Sequence, residues 1–300
     1  HAAMPPTPQY RWPLLDARCG APVTVKHENH APVGAFKVRG GLVYLDWLRR
    51  AHPDVRMLVT ATRGNHGQSI GFAAARHGIR TTVVVPHGNS VEKNAAMRAL
   101  GVALIEEGRD FQESVEVADE IVARDPRGTH RVPSFDARLV LGVATWALEL
   151  LRAAPDVETL YVPIGLGSGI CGAIAARDAL GHRARIVGVV SDAAPAYALS
   201  LAAGHPVSHE ATTRLADGMA CRTPVPAALR IIARGADRVV RVTDDEVAAA
   251  MRALFADTHN VAEGAGAAAL AGLLADRDRE PGRQAAIVLS GGHVDAAVFA

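Results

Sequence analysis

Thr159-Leu160-Tyr161-Val162-Pro163-Ile164-Gly165-Leu166-Gly167-Ser168-Gly169-Ile170 reads as a β-strand, a glycine-rich turn and the start of a helix. Glycines let backbone N–H groups approach an anion with no Cβ in the way, and the dipole of the following helix adds to the attraction. The stretch predicts a phosphate site; a tight turn that is merely glycine-rich is the plain alternative. Gly167-Ser168-Gly169-Ile170-Cys171-Gly172 is also a literal G-x-G-x-x-G, followed by Asp192 after a further strand, which is a dinucleotide fingerprint. The same alternation extends both ways. Downstream lie strand Ile186 to Val190, helix Pro195 to Ala203 and strand Arg238 to Val242. Thr243 then caps a helix through Phe255, with Glu246 completing a capping box. An alanine-rich helix, Gly264 to Leu274, precedes strand Ala285 to Leu289. Upstream, helix Ala137 to Arg152 is preceded by strands Val23–His27, Arg56–Thr60, Thr81–Val85 and Val102–Ile105. Helices follow each of these strands, beginning near Gly41, after Gln68, at Val91 behind the N-cap Ser90, and at Asp110. Strand then helix through short loops means parallel strands with helical crossovers, so the fold class is α/β with two doubly wound parallel sheets.

The 300 residues are 49% apolar and 21% charged, enough for a sizeable core without disulfides. A net charge of +1 with acids and bases mixed argues against nucleic-acid partners or a polybasic membrane patch. Cys19, Cys171 and Cys221 have no paired or metal-quartet spacing, which points to a reducing, cytoplasmic location. No apolar run reaches membrane-spanning length, and the first residues carry no leader pattern. Pro5 to Pro13 is proline-rich and expected to be an extended arm.

Two other loops sit where the ends of parallel strands gather ligands. In Gly34-Ala35-Phe36-Lys37-Val38-Arg39-Gly40-Gly41 a lysine falls near a strand-to-helix turn. A helix start does not favour the ammonium form, which suits an amine that must attack a carbonyl. A surface lysine is the alternative. In Arg63-Gly64-Asn65-His66-Gly67, Asn65 offers a donor and an acceptor for a phenolate or carboxylate, or else simply caps a helix. His66 reads as a base or as a structural histidine. Ser290-Gly291-Gly292 places a hydroxyl at a strand end, able to reach a ring nitrogen or to serve a plain turn. A nicotinamide dinucleotide on Gly167–Gly172 would leave Lys37 and the Asn65 loop without a role.

Lys26-His27-Glu28, Pro32-Val33-Gly34-Ala35-Phe36-Lys37-Val38-Arg39-Gly40, Gly64-Asn65-His66-Gly67-Gln68, the 165–169 loop, Ala216-Asp217-Gly218, Glu263-Gly264-Ala265-Gly266-Ala267 and Ser290-Gly291-Gly292-His293-Val294-Asp295 occur in that order. Together they resemble the fold-type II pyridoxal-phosphate (PLP) enzymes of tryptophan synthase β-like architecture, most closely the threonine/serine dehydratase and serine racemase branch. The resemblance implies a large PLP-binding domain of residues 1–42 and 134–300 and a small domain of 43–133. It implies that Lys37 carries the covalent link to the cofactor and acts as catalytic base. Phe36 packs on the ring and Asn65 bonds its hydroxyl. Gly165, Leu166, Gly167, Ser168 and Gly169 bind the phosphate, Ser290 faces the pyridine nitrogen, and Gly218 lines the cofactor site. Thr62, Arg63, Gly64, Asn65, His66 and Ser134 form the substrate side. The implied reaction is α,β-elimination of a β-hydroxy amino acid, such as threonine, serine or 3-hydroxyaspartate, to a 2-oxo acid and ammonia. The implied assembly is a homodimer. A β-replacement synthase or other fold-type II lyase, an NAD-dependent oxidoreductase and a non-catalytic metabolite-binding protein are the alternatives.

Three departures stand out. Arg63 occupies the place where racemases and many dehydratases of this branch carry a serine, so little racemase activity is expected; its guanidinium suits the substrate's α-carboxylate or a second carboxylate, or else a surface salt bridge. Val190-Ser191-Asp192-Ala193-Ala194-Pro195-Ala196 lacks acids at the branch's divalent-cation positions, so no such metal site is expected. His293 replaces the usual asparagine after the glycine pair. Ala194-Pro195-Ala196-Tyr197-Ala198-Leu199-Ser200 is similar to the hydroxyectoine-utilization dehydratases, a sub-branch. No regulatory domain is expected after the serine loop.

Overall fold

Short apolar runs ending in glycine, proline or a capping residue make strands that pair only after the chain has returned through a helix. The computed structural model of the chain describes residues 3–279 and 282–299. In chain order the elements are β1 (Gln9–Arg11), α1 (Pro13–Cys19), β2 (Val23–His27), α2 (Lys37–Ala51), β3 (Met57–Ala61), α3 (Asn65–Ala75), β4 (Arg80–Val85), α4 (Val91–Ala99), β5 (Ala103–Glu106), α5 (Phe111–Arg124), β6 (Thr129–Arg131) and α6 (Ala137–Ala153). There follow β7 (Thr159–Pro163), α7 (Ser168–Leu180), β8 (Arg185–Ser191), α8 (Ala196–Ala203), α9 (Pro226–Gly235), β9 (Arg238–Val242), α10 (Asp244–Thr258), α11 (Gly264–Asp276), β10 (Ala285–Leu289) and α12 (Ala296–Phe299). They divide into two compact units: the chain up to Phe36 with Val143–Gly292, and Lys37–Gly142 with the tail from His293.

The first unit holds a sheet in the order β1-β2-β10-β7-β8-β9. Its strands are parallel except β1, which runs antiparallel on β2 with Gln9 opposite Lys26. The proline-rich arm is thus extended, and its middle pairs with the outer edge of β2, whose backbone groups need partners. Lys26 on β2 is fully buried and forms an ion pair with Glu149 of α6 at 2.7 Å, its Nζ also donating to the Thr7 carbonyl. Removing one partner of such a pair costs about 3–5 kcal/mol, so this lysine is committed to the fold. The small residues of α11 let it lie close on the sheet: a Cβ at Gly272 would collide with Val189 of β8.

The second unit holds the parallel sheet β5-β4-β3-β6. Leu45 and Leu48 of α2, Ile70 and Ala74 of α3, and Leu58 of β3 form one core beside it. Val59 and Val84 meet Ala118 and the apolar side of α5 in another. Burying each leucine or isoleucine contributes roughly 1.5–3 kcal/mol. Helix α2 starts at Lys37, earlier than the sequence pattern places it. Gly40 and Gly41 are poor helix formers that mask the start. Gly41 is used for approach, because a Cβ there would strike the Ser69 side chain and lie 2.8 Å from the Ser69 carbonyl of α3.

Helices α1 and α9 and strand β6 do not appear in the sequence reading. β6 is three residues containing a histidine and an arginine, too short to show a period. Where that reading divides the chain at 42/43 and 133/134, the compact units divide at 36/37 and 142/143. The first turns of α2 and α6 pack within the second unit: a Cβ at Gly142 would strike the Arg39 carbonyl.

Candidate active site

In the first unit, the chain leaves β7 and turns into α7 on a bed of backbone. Gly167 is the residue before the helix, with φ +97°, a left-handed conformation that favours glycine. A Cβ on it would lie 2.8 Å from the Ala228 Cβ of α9, and one on Gly165 would run into the carbonyl of Gly218. Gly218 lies in the single-turn helix Asp217–Met219. Among the described residues no side chain caps α7, so its start keeps the character of an anion site. Phe36 lies over Gly169, whose Cβ would sit 3.5 Å from its Cζ, and its N–H donates to the Ser290 carbonyl. Ala35 and Gly291 form an antiparallel bridge alongside. Ser290, at the carboxyl end of β10, is buried, with Oγ 3.4 Å from the Ala265 carbonyl. Phe36, Gly165–Gly169, Gly218 and Ser290 are therefore all fixed by the first unit.

In the second unit, Lys37 is the first residue of α2, and its carbonyl accepts from Ser69 Oγ at 2.7 Å. The close crossing at Gly41 and Ser69 brings the start of α2 beside the start of α3, where Asn65 and His66 lie. Thr62 Oγ1 accepts the Gly64 N–H at 2.9 Å, holding the turn after β3. Gly64 has φ +154°, and the Lys93 stem fills the space a Cβ would need. Arg63 is half-buried, with its Nε buried and unpartnered among the described residues. His66 is buried and its pKa is lowered to about 3, mainly by burial and then by Lys37 and Arg131; a ring N–H donates to the Pro133 carbonyl. It stays neutral at physiological pH, which fits the structural reading better than the base. Ser134 Oγ donates to the Ala61 carbonyl at 3.2 Å, at the carboxyl end of β3. Lys37, Thr62–His66 and Ser134 thus lie within the second unit, on the side where β3 ends.

The dinucleotide reading loses its parts. Gly172 packs against Ala144 of α6, whose backbone N would be 2.9 Å from an added Cβ, so it serves helix packing. Asp192, required for a ribose, is ion-paired with Arg241 of β9. Two contributors escaped the sequence reading. Lys93 is buried, its stem accounting for Gly64. Tyr197 is buried beneath the glycine turn; a lone tyrosine in an apolar helix gives only the signal that its hydroxyl needs a partner.

A family model described as "Pyridoxal-phosphate dependent enzyme" matches residues 2–291. An L-threonine ammonia-lyase from Geobacter sulfurreducens is 38% identical over 280 residues, 93% of this chain and 69% of that protein. Among solved structures, threonine deaminase isoform 2 from Solanum lycopersicum superposes with a TM-score of 0.89 at 26% identity, covering 97% of this chain and 85% of that one. Maize serine racemase gives a TM-score of 0.90 at 26% identity, covering 98% and 90%.

Proposed function

We propose that this chain, which belongs to the family of pyridoxal-phosphate dependent enzymes, is an ammonia-lyase for β-hydroxy amino acids with Lys37 as its catalytic residue. The observation that carries the reading is Lys37 at the head of α2, in a chain whose β7–α7 turn has no room for a side chain at Gly165 or Gly167. The residues present fit the cofactor. Gly165 and Gly167 lie so close to Gly218, Ala228 and Tyr197 behind them that neither has room for a Cβ, which leaves the backbone of Gly165–Gly169 as the lining of a cradle, and Ser290 offers a buried hydroxyl. In this reading the cradle holds the phosphate, Ser290 the ring nitrogen, Phe36 a ring face, Asn65 the ring hydroxyl and Lys37 the aldehyde carbon. Gly218 backs the cradle with its carbonyl. When bound, the cofactor supplies an electron sink for the carbanion at Cα.

The chain's own groups do the rest. Freed when the substrate's amine takes its place, Lys37 Nζ would take the α-proton as general base. Ser290 is a neutral hydroxyl, so it bonds the ring nitrogen without fixing a proton on it as a carboxylate would. Asn65, at the head of α3, orients the ring through donor and acceptor together. Thr62 and Gly64 hold the turn, and His66 adds a neutral imidazole beside Lys37. Arg63 and Ser134 face the substrate, with Arg63 receiving a carboxylate. The β-hydroxyl would leave as water with the proton that Lys37 has taken up, and the released enamine hydrolyses to a 2-oxo acid and ammonia. We further propose a cytoplasmic homodimer. Three buried, unbridged cysteines support the compartment, and the exposed Tyr10 and Leu14 leave apolar surface for a second copy. Among the described residues no helix is long and apolar enough to cross a membrane.

The test is the visible spectrum of the purified protein before and after L-threonine, L-serine and threo-3-hydroxyaspartate, with 2-oxo acid measured in parallel. A yellow protein that turns over one of the three, and loses colour and at least about 10³-fold in rate as Lys37→Ala, is expected. A colourless protein that PLP does not alter and that forms no 2-oxo acid would overturn the reading.

A further inference from the structure

Tyr197 sits directly under the glycine turn. It lies in α8, 1% exposed. Its hydroxyl donates to the Leu166 carbonyl at 2.9 Å and accepts the Val225 N–H at 3.1 Å. A Cβ built on Gly167 would lie 3.3 Å from the same oxygen. Val225 is the residue before α9, and Ala228 of α9 packs under Gly167. One phenol therefore ties the middle of the turn to the helix that supports it.

From these contacts we infer that Tyr197 is a positioning residue for the phosphate cradle, acting through the Leu166–Gly167 peptide. In a trans peptide the C=O and the following N–H point in opposite directions. Pinning the Leu166 carbonyl to Tyr197 therefore aims the Gly167 N–H away from α8. A glycine pair flanking a leucine is conformationally free, so the turn has little of its own to prevent that peptide from flipping. A flip would turn a carbonyl, not a donor, toward an anion. Burial raises the phenol's pKa, so the hydroxyl keeps the proton it donates. The Val225 N–H occupies a lone pair and fixes the direction in which that proton points. Loss of the hydroxyl would leave both the Leu166 carbonyl and the Val225 N–H to find other partners.

The inference rests on the cofactor assignment, and the experiment separates the two. Dissociation constants for PLP and for pyridoxal, which lacks the phosphate, are measured on apoprotein of wild type and Tyr197→Phe, with the ³¹P resonance of bound PLP. The expected result is an about tenfold weaker PLP affinity with a changed ³¹P shift, while pyridoxal affinity stays within about twofold. A merely structural role would weaken both ligands alike. An unchanged PLP-to-pyridoxal affinity ratio therefore overturns the inference, whether both affinities fall or neither does. Wild type that binds neither ligand would overturn the cofactor assignment and this role together. Should Tyr197→Phe fail to fold, Tyr197→Met replaces it, since a flexible apolar side chain fills the buried space without a hydroxyl. A lowered ratio in that variant supports the inference, and an unchanged one overturns it.

Discussion

The turn from β7 into α7 carries Gly165, Gly167 and Gly169 and no charged side chain, whereas the turn from β3 into α3 carries Arg63, Asn65 and His66. Both join a parallel strand to a helix at the carboxyl end of a sheet, the place where such folds gather ligands. The first is made of backbone. Its shape is fixed from below by Gly218, Ala228 and Tyr197, and its chemistry is the direction of its peptide groups. The second is made of side chains. Its backbone is held locally, by Thr62 on the Gly64 N–H and by the Lys93 stem, and what it offers is a guanidinium, an amide and a neutral imidazole. In the proposed reading the first turn meets a phosphate of constant shape with fixed dipoles that need no titratable group, and the second meets a variable substrate with side chains that one codon can exchange.

Three substitutions test that contrast. The largest effect is expected from Gly165→Ala, because its Cβ would meet a backbone carbonyl that cannot swing aside. Overpacking of this kind costs about 1–3 kcal/mol, or up to about 100-fold in PLP affinity, with pyridoxal affinity affected less. Equal losses for both ligands would show that the turn does not read the phosphate.

Arg63→Ser comes next. If the guanidinium receives a substrate carboxylate, the ratio of kcat/KM for threo-3-hydroxyaspartate over L-threonine falls by about 10- to 100-fold, the worth of a charge-assisted pair. PLP affinity stays as in wild type. An unmoved ratio would remove Arg63 from substrate selection.

The smallest effect is on pH. His66 has a folded pKa of about 3, below the usual 6.5, so the unfolded chain binds the proton first as the solution is acidified. Its neutral form is stable in both states above pH ~6.5, and below that pH folding loses stability by up to about 1.4 kcal/mol per pH unit. His27 in the first unit, lowered to about 4 mainly by burial, adds the same slope independently. Unfolding free energies at pH 6.5 and 5.5 should therefore differ less in His66→Asn than in wild type. Identical differences would mean that His66 is not held neutral by the fold.

The membership in the PLP family and the β-hydroxy amino-acid reaction class were legible before any coordinates, because several motifs stand in one order along the chain. Most strands and caps were legible too. Ser90 accepts the Lys93 N–H and Thr243 with Glu246 forms its capping box, as local chemistry at those positions requires. What escaped notice has two causes. β6 is too short to show a period and Gly40 and Gly41 mask the start of α2, whereas the support of Gly64 by Lys93 depends on a partner remote in sequence. The G-x-G-x-x-G match shows the reverse error. Its last glycine was free to mean a cofactor in the sequence, and tertiary packing on α6 gave it a different task.

By itself, then, the sequence determined the alternation of strand and helix, the two glycine-bearing turns and a lysine near a strand-to-helix turn. These are set by periodicity, φ freedom and capping, which act within a few residues. Only the tertiary structure decided which buried polar group serves the fold and which serves the site. Lys26 and Lys37 are lysines of one early stretch of the chain, yet Lys26 lies within β2 and is held by Glu149 and the Thr7 carbonyl, whereas Lys37 heads a helix beside a neutral histidine. Tyr197 is likewise one apolar-helix tyrosine until the fold places it beneath Leu166. The physical reason is that a buried charge or hydroxyl must be paired, and the partner comes from wherever the fold brings the chain back.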